Sequence, residues 1–165
     1  MNEVTIVAGY IPGAIGRVAE LHGIYYHRHW GFGLFFEAKV ASELSEFLNR
    51  FDPGRDGFWA LVRDNRVQGA IAIDGAKAHD HGAHLRWFIV DEAMQGGGWG
   101  GQLLDRALAF CRTRRYPRIF LWTFAGLTSA HHLYEKAGFA LVEQHPGQRW
   151  GTAVTEQRFE LVLAT

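Results

Sequence analysis

The residues best placed to do chemistry lie between Leu85 and Leu104. There the apolar run Leu85-Arg86-Trp87-Phe88-Ile89-Val90 leads through Asp91-Glu92-Ala93-Met94 into Gln95-Gly96-Gly97-Gly98-Trp99-Gly100-Gly101-Gln102-Leu103-Leu104. Five glycines fall within six residues, and an amphipathic helical pattern follows at once. Glycine admits positive φ and lets a ligand reach the backbone without a Cβ in the way. A helix starting there aims unpaired N–H groups and the positive end of its dipole at the loop. The chemistry on offer is anion binding, and a pyrophosphate fits it best.

Three kinds of loop bind a pyrophosphate in this way. Gly96, Gly98 and Gly101 fit G-x-G-x-x-G, the dinucleotide fingerprint, which expects an acid about 20 residues on to hold a ribose hydroxyl. The next strand, Arg118-Ile119-Phe120-Leu121-Trp122-Thr123-Phe124, ends without one. The glycines also come after more than half the chain, which leaves too little behind them for a doubly wound domain. A P-loop needs Lys and then Ser or Thr after its last glycine; Gln102 and Leu103 follow Gly101 instead. The third kind fits. Gln95-Gly96-Gly97-Gly98-Trp99-Gly100 matches Arg/Gln-x-x-Gly-x-Gly/Ala, the acetyl-CoA signature of the GNAT N-acetyltransferase superfamily. Leu133-Tyr134-Glu135-Lys136-Ala137-Gly138-Phe139 resembles that family's second signature, Leu-Tyr-Glu-Lys-x-Gly-Phe. Two signatures in the correct order, about 35 residues apart, are more specific than either alone. The resemblance is strongest over residues 56–164.

The resemblance implies an acyltransferase that moves the acetyl group of acetyl-CoA, as co-substrate, to a primary amine of a small molecule or peptide in a ternary complex. The pantetheine arm would lie along the backbone of Phe88, Ile89 and Val90, and the pyrophosphate on the amides of Gln95, Gly96, Gly97, Gly98, Trp99, Gly100 and Gly101. Trp99 either walls the cofactor or packs its helix onto the sheet. Tyr134 matches the family's general acid for the leaving thiolate, since a tyrosine with a pKa of about 10 is protonated at neutral pH; its plainer reading is a packing residue on an apolar helix face. A backbone N–H of the central strand would take the oxyanion. Where many relatives place a strand carboxylate this chain has Arg86 and Trp87, so His22, Glu20 and Glu37 in the N-terminal helices are the candidates for a base acting through water. Leu127 replaces an Asn that touches CoA in many relatives, leaving Thr128 or Ser129 to cap the helix. These two departures motivate the alternative of a non-catalytic acyl-CoA-binding sensor. The N-terminal region is also similar to the acetyltransferase half of regulators that fuse a MarR-type helix-turn-helix to a GNAT domain, but no helix-turn-helix part is seen, so DNA binding does not carry over.

Other residues offer less. His79-Asp80-His81 with His84 lacks a recognised ligand spacing and reads as a solvated loop, so no metal is expected. His131 and His132 are adjacent and diverge by about 100° on a helix. Cys111 falls in the apolar series Leu104, Ala107, Leu108 and reads as core. The aromatic concentration Tyr25-Tyr26-His27-Arg28-His29-Trp30 with Phe32, Phe35 and Phe36 suits helix–sheet packing or a homodimer surface. It equally suits an apolar acceptor pocket in which Glu20 or Glu37 attracts a cation. With 17 basic and 17 acidic residues the formal charge is zero, so no global field draws the chain to nucleic acid or an anionic membrane. Of the basic residues 14 are Arg, and only Arg112, Arg114 and Arg115 cluster. No apolar stretch approaches the roughly 18 residues of a membrane span, and Met1-Asn2-Glu3 does not open a signal peptide. One cysteine suits a reducing compartment, so a cytoplasmic protein is expected.

The elements that must position these residues are legible from pattern. Val4–Val7 reads as a first strand. A helix with Pro12 in its first turn runs to about His27, the glycines around Trp30–Gly33 break it, and a second helix spans about Phe35–Asn49. Strands at 58–62 and 67–73 pair through Arg63-Asp64-Asn65-Arg66. A loop over Asp74–Gly82 leads to the strand Ala83–Val90, and the central helix runs from about Gly98 to Arg114. The strand 118–124 follows Pro117. Ala130, Leu133, Tyr134 and Ala137 mark a helix ended by Gly138, and strands at 139–145 and 153–163 finish the chain. The expected architecture is one domain over 1–165, an α/β (α+β) fold of mixed, mostly antiparallel sheet with about six or seven strands and helices on both faces.

Overall fold

The computed structural model describes residues 3–163; Met1 and Asn2, on which the absence of a leader was argued, lie outside them. In chain order the elements are β1 (Val4–Ala8), α1 (Ala14–Trp30), α2 (Leu34–Asn49), β2 (Gly57–Arg63), β3 (Arg66–Asp74), the single turn α3 (Ala78–His81), β4 (Ala83–Val90), α4 (Trp99–Thr113), β5 (Arg118–Phe124), α5 (Thr128–Ala137), β6 (Ala140–Gly147) and β7 (Val154–Val162). The strands form one seven-stranded sheet in the order β1-β2-β3-β4-β5-β7-β6. Among the described residues only the β4–β5 pair is parallel, which rules out the doubly wound nucleotide fold.

Side chains alternate across a strand, and here both faces of the sheet are covered. Trp59, Leu61, Ile71 and Ile73 point to one face and meet Leu103, Leu104, Ala107, Leu108 and Cys111 of α4. Phe58, Ala60, Ala70 and Ala72 point to the other and meet Ala14 and Val18 of α1 and Leu44 and Phe47 of α2. Removing a fully buried leucine such as Leu103 would cost about 2–5 kcal/mol. The β2–β3 hairpin turns on Asp64 and Asn65, both at positive φ (53° and 59°), the twist a two-residue hairpin prefers.

Three boundaries depart from the sequence reading. The first helix begins at Ala14, because Gly13 at φ 91° turns the chain just before it, so Pro12 lies outside its first turn. That helix continues past His27 to Trp30, where Gly31 in the left-handed conformation donates to the His27 carbonyl. The Asp74–Gly82 loop contains the turn α3 and is tied down by buried Asp56, whose carboxylate accepts from the Gly75 amide at 2.8 Å.

Two features of β4 shape the site. Its parallel pairing with β5 covers only Ala83↔Ile119 and His84↔Phe120, after which the strands diverge. Between the β3 pairings Ala70↔Ile89 and Ala72↔Arg86 the strand carries an extra residue, and Trp87 sits there at φ 49°. Such a bulge bends a strand and re-aims its side chains, and a bulky residue at positive φ is strain that the surroundings must hold. The ring of Trp87 is held by Phe47 at 5.4 Å and by the Arg86 guanidinium at 4.1 Å.

Candidate active site

Where β4 and β5 part, a cleft of about 790 Å³ opens between the end of β4, the glycine loop and the start of α5. Its lining includes Phe88, Ile89, Val90, Gln95, Gly96 and Gly98, followed by Trp99, Gly100 and Gly101. Gly96 and Gly98 sit at φ 88° and 82°, a conformation that disfavours any side chain. Gly98 caps α4 without a side-chain hydrogen bond, so the first-turn N–H groups of that helix remain for a ligand. A Cβ on Gly100 would meet Leu133 at 3.2 Å, so this glycine lets α4 and α5 approach one another. The Gln95 side chain donates to the Val90 carbonyl at 3.1 Å and clamps the loop back onto the strand. Gly97 is placed differently, beneath the Trp99 indole, where an added Cβ would sit 3.0 Å from Nε1. Trp99 lines the cleft and also packs against the core under α4.

A second cavity, of about 210 Å³, adjoins the first and shares Tyr26, Phe88, Leu127 and Ala130 with it. Tyr134 lines this smaller cavity, buried among the rings of Phe88, Phe139 and Phe159. Burial, with a lesser contribution from Tyr26, pushes the Tyr134 hydroxyl well above its ordinary range, so it stays protonated. His22 lines the same cavity; its Nδ1–H donates to the Val18 carbonyl at 2.8 Å, which leaves Nε2 as the acceptor. Burial pushes that imidazole down to about 4, so the ring is neutral at physiological pH.

The other suggested bases stand elsewhere. Glu20 is engaged by Arg17 and Arg66, and Glu37 reaches over Gly23 on α1. The carboxylate that does line the cavity is Glu43, paired with Lys39 and with Arg86. Arg86 lies 3.7 Å from Asp74 as well, and the Arg149 guanidinium, also on the cavity wall, stacks over Trp122 at 3.8 Å.

Several side chains behave otherwise than the sequence suggested. His84 is half-buried rather than solvated; it stacks on Phe120 at 4.4 Å, and burial together with the Arg86 charge pushes it down to about 3. Among the described residues no group of three or more His, Cys, Asp or Glu could hold a metal ion. Neither Thr128 nor Ser129 caps α5: Leu127 occupies the cap without a side-chain hydrogen bond and is buried with Phe32, Phe36 and Phe124. The N-terminal aromatics divide, with Phe32 in the core, Tyr26 and Phe36 on the smaller cavity, and Phe35 exposed. Cys111 is core, its thiol pushed up to about 12 by burial. Sequence reasoning passed over Lys39, Glu43, Arg149 and Trp150, because only the tertiary fold brings α2 and the β6–β7 turn to the cavity wall. The faint signal was the i, i+4 pair Lys39–Glu43 on α2, which also reads as a surface ion pair.

The family model for the GNAT acetyltransferases matches residues 21–139. A mycothiol acetyltransferase from Acidothermus cellulolyticus is 32% identical over 121 residues, 66% of this chain and 34% of that protein. The chain spans about a quarter to a third of the length of the curated relatives it matches. The likeness to fused regulators finds no support in these relatives. A GNAT acetyltransferase from Staphylococcus aureus superposes with a TM-score of 0.76 at 18% identity, over 98% of this chain and 100% of that one. The protein yncA from Salmonella typhimurium, solved with its cofactor acetyl-CoA, superposes at 0.74 and 17% identity over 98% and 94%. No helix among the described residues is long and apolar enough to cross a membrane. The splayed strands, the glycine loop before α4 and the matched family model together place this chain in the GNAT acetyltransferase family.

Proposed function

We propose that residues 1–165 act as one N-acetyltransferase domain, which carries the acetyl group of acetyl-CoA to a primary amine of a small molecule or peptide. The observation that carries this reading is the position of Tyr134, a buried and protonated hydroxyl lining the cavity that meets the cleft at Phe88. In the larger cleft, the first-turn amides of α4 and the glycine loop hold the pyrophosphate. The unpaired edge of β4 beyond His84 offers backbone groups to the pantetheine arm and an N–H to the oxyanion. The amine enters the smaller cavity and attacks the thioester carbonyl, and Tyr134 donates its proton to the departing thiolate. Since an alkylammonium titrates at about 10, a proton must first leave the acceptor. The Nε2 lone pair of His22 can anchor a water that passes it outward. The curated relatives are named mycothiol acetyltransferases, so a mycothiol-related amine belongs in the first screen.

The test is CoA-thiol release from acetyl-CoA over an amine panel, with the acetylated product identified by mass spectrometry. Amine-dependent thiol release with a matching N-acetyl product is the expected result. Tight acetyl-CoA binding with no transfer to any amine would favour the sensor alternative, to which the buried Leu127 at the head of α5 gives its one structural support.

A further inference from the structure

The charges on the wall of the smaller cavity are unbalanced. Among the described residues Lys39, Arg86 and Arg149 line it as cations, against a single lining carboxylate, Glu43. His22 and His84 line it too, and burial keeps both neutral at physiological pH. Glu43 is shared by Lys39 and Arg86, so it is already compensated. The neighbouring acids Asp74 and Glu156 stand behind Arg86 and Arg149 and do not line the cavity.

Arg149 is the most pointed of the three cations. Its Nε donates to one oxygen of the buried Glu156 at 2.8 Å, and its backbone N–H to the other at 3.0 Å. One face of the guanidinium is stacked on Trp122 at 3.8 Å. The hydrogen bonds it makes among the described residues use neither terminal nitrogen. A guanidinium pinned by stacking and by its Nε, with its outer edge open, is a fork matched to a carboxylate. Much of the remaining wall is aromatic, with Tyr26, Phe36, Trp87 and Phe124 among it.

We propose that the acceptor is an amine that also carries a carboxylate, an amino acid with an apolar or aromatic side chain, held by Arg149 with help from Lys39. This rests on the acetyltransferase reading given above. The amine end lies toward Phe88 and Tyr134 and the carboxylate end toward Arg149. In the transfer the N–C bond forms as the C–S bond breaks; the amine gives up one proton, the thiolate gains one, and the carboxylate is unchanged. A polyamine would instead bring extra positive charge to a wall whose carboxylates, Glu43 and behind it Asp74 and Glu156, are already engaged by Lys39, Arg86 and Arg149.

The experiment measures kcat/KM with acetyl-CoA for L-phenylalanine, L-phenylalaninamide, 2-phenylethylamine and spermidine. In parallel, N-acetyl-L-phenylalanine and its amide are titrated calorimetrically into the protein–CoA complex, which reads recognition without needing turnover. The proposal expects the free acid to exceed its amide at least tenfold in kcat/KM and the acetylated acid to bind more tightly than its amide. Arg149→Lys keeps a cation over Glu156 but loses the fork, and should pull the acid-to-amide ratio toward one; Lys39→Met should lower it about threefold. Equal rates for acid and amide, or a preference for spermidine, would overturn the proposal and leave acetyl transfer standing. If CoA binds and nothing is acetylated, acetyl transfer fails and the calorimetric pair decides. Preferential binding of the acid then supports the carboxylate site, and equal or absent binding overturns it.

Discussion

The two cavities that meet at Phe88 are built by different means. The larger takes most of its wall from two stretches of chain, Phe88–Gly101 and Gly126–Leu133, and what it offers is mainly backbone: an unpaired strand edge, glycines at positive φ and an uncapped helix start. The smaller is assembled from single side chains on α1, α2, β4, β5, α5 and the β6–β7 turn, and what it offers is charge and aromatic surface. A backbone grip survives drift of the neighbouring side chains, whereas a side-chain cavity changes with every substitution in its wall. The first is suited to a constant co-substrate and the second to one chosen acceptor.

If that division is right, a residue of the smaller cavity that packs beside the junction at Phe88 should alter chemistry and leave both binding steps alone. Replacing Tyr134 by Phe is expected to lower kcat by about 10²–10⁴, the range of general acid catalysis, with the acetyl-CoA Kd unchanged. An unchanged kcat would remove Tyr134 from proton transfer and leave it a packing residue.

Acid should act on the acceptor side. His22 and His84 have folded pKa values of about 4 and about 3, below the 6.5 of an unperturbed imidazole. The unfolded chain therefore binds these two protons first. Their contribution to stability is complete above pH 6.5 and is lost as pH falls toward 4 and 3, at up to about 1.4 kcal/mol per pH unit for each histidine. Urea midpoints at pH 7 and pH 5 read this loss, and His22→Gln should shrink it. Equal midpoints for the wild type would mean that the two rings are not held neutral.

A change in the glycine loop should touch the cofactor side alone. Gly98→Val forces a β-branched residue to φ 82°. With left-handed strain of about 1–2 kcal/mol, acetyl-CoA affinity should fall roughly 10-fold. Unchanged affinity would show that the loop does not grip the pyrophosphate. The smallest effects belong to Glu20→Gln and Glu37→Gln, which line neither cavity and should leave kcat within about twofold. A hundredfold loss at either would return it to the list of bases.

The same division governs what could be read from sequence. The glycines before α4, the apolar face Leu104-Ala107-Leu108-Cys111 and the Gly138 stop all encode local geometry, and β4 and β5 run where the pattern put them. Gly13 displaced the start of α1 because left-handed glycines punctuate a chain as firmly as proline does. The bulge at Trp87 carries no local signature, since it is imposed by pairing with β3. Arg149 and Glu43 are invisible for a related reason: a charged residue in a loop or on a helix looks solvated until the tertiary fold turns it inward. The histidines near residue 80 misled in the opposite sense: His84, read with them as solvated, is half-buried on β4 and stacks on Phe120.

The most direct test of the central claim, that the cleft between β4 and β5 is an acetyl-CoA site, is thermal unfolding with acetyl-CoA, CoA, NAD and NADP in parallel. At 100 times Kd a ligand adds about 2.7 kcal/mol to stability, which for a domain of this size raises Tm by roughly 5–10 °C. That rise is expected with acetyl-CoA and CoA, in the wild type and in Tyr134→Phe alike, and none with the nicotinamides. No rise with the CoA compounds, or a rise with NAD instead, would contradict it.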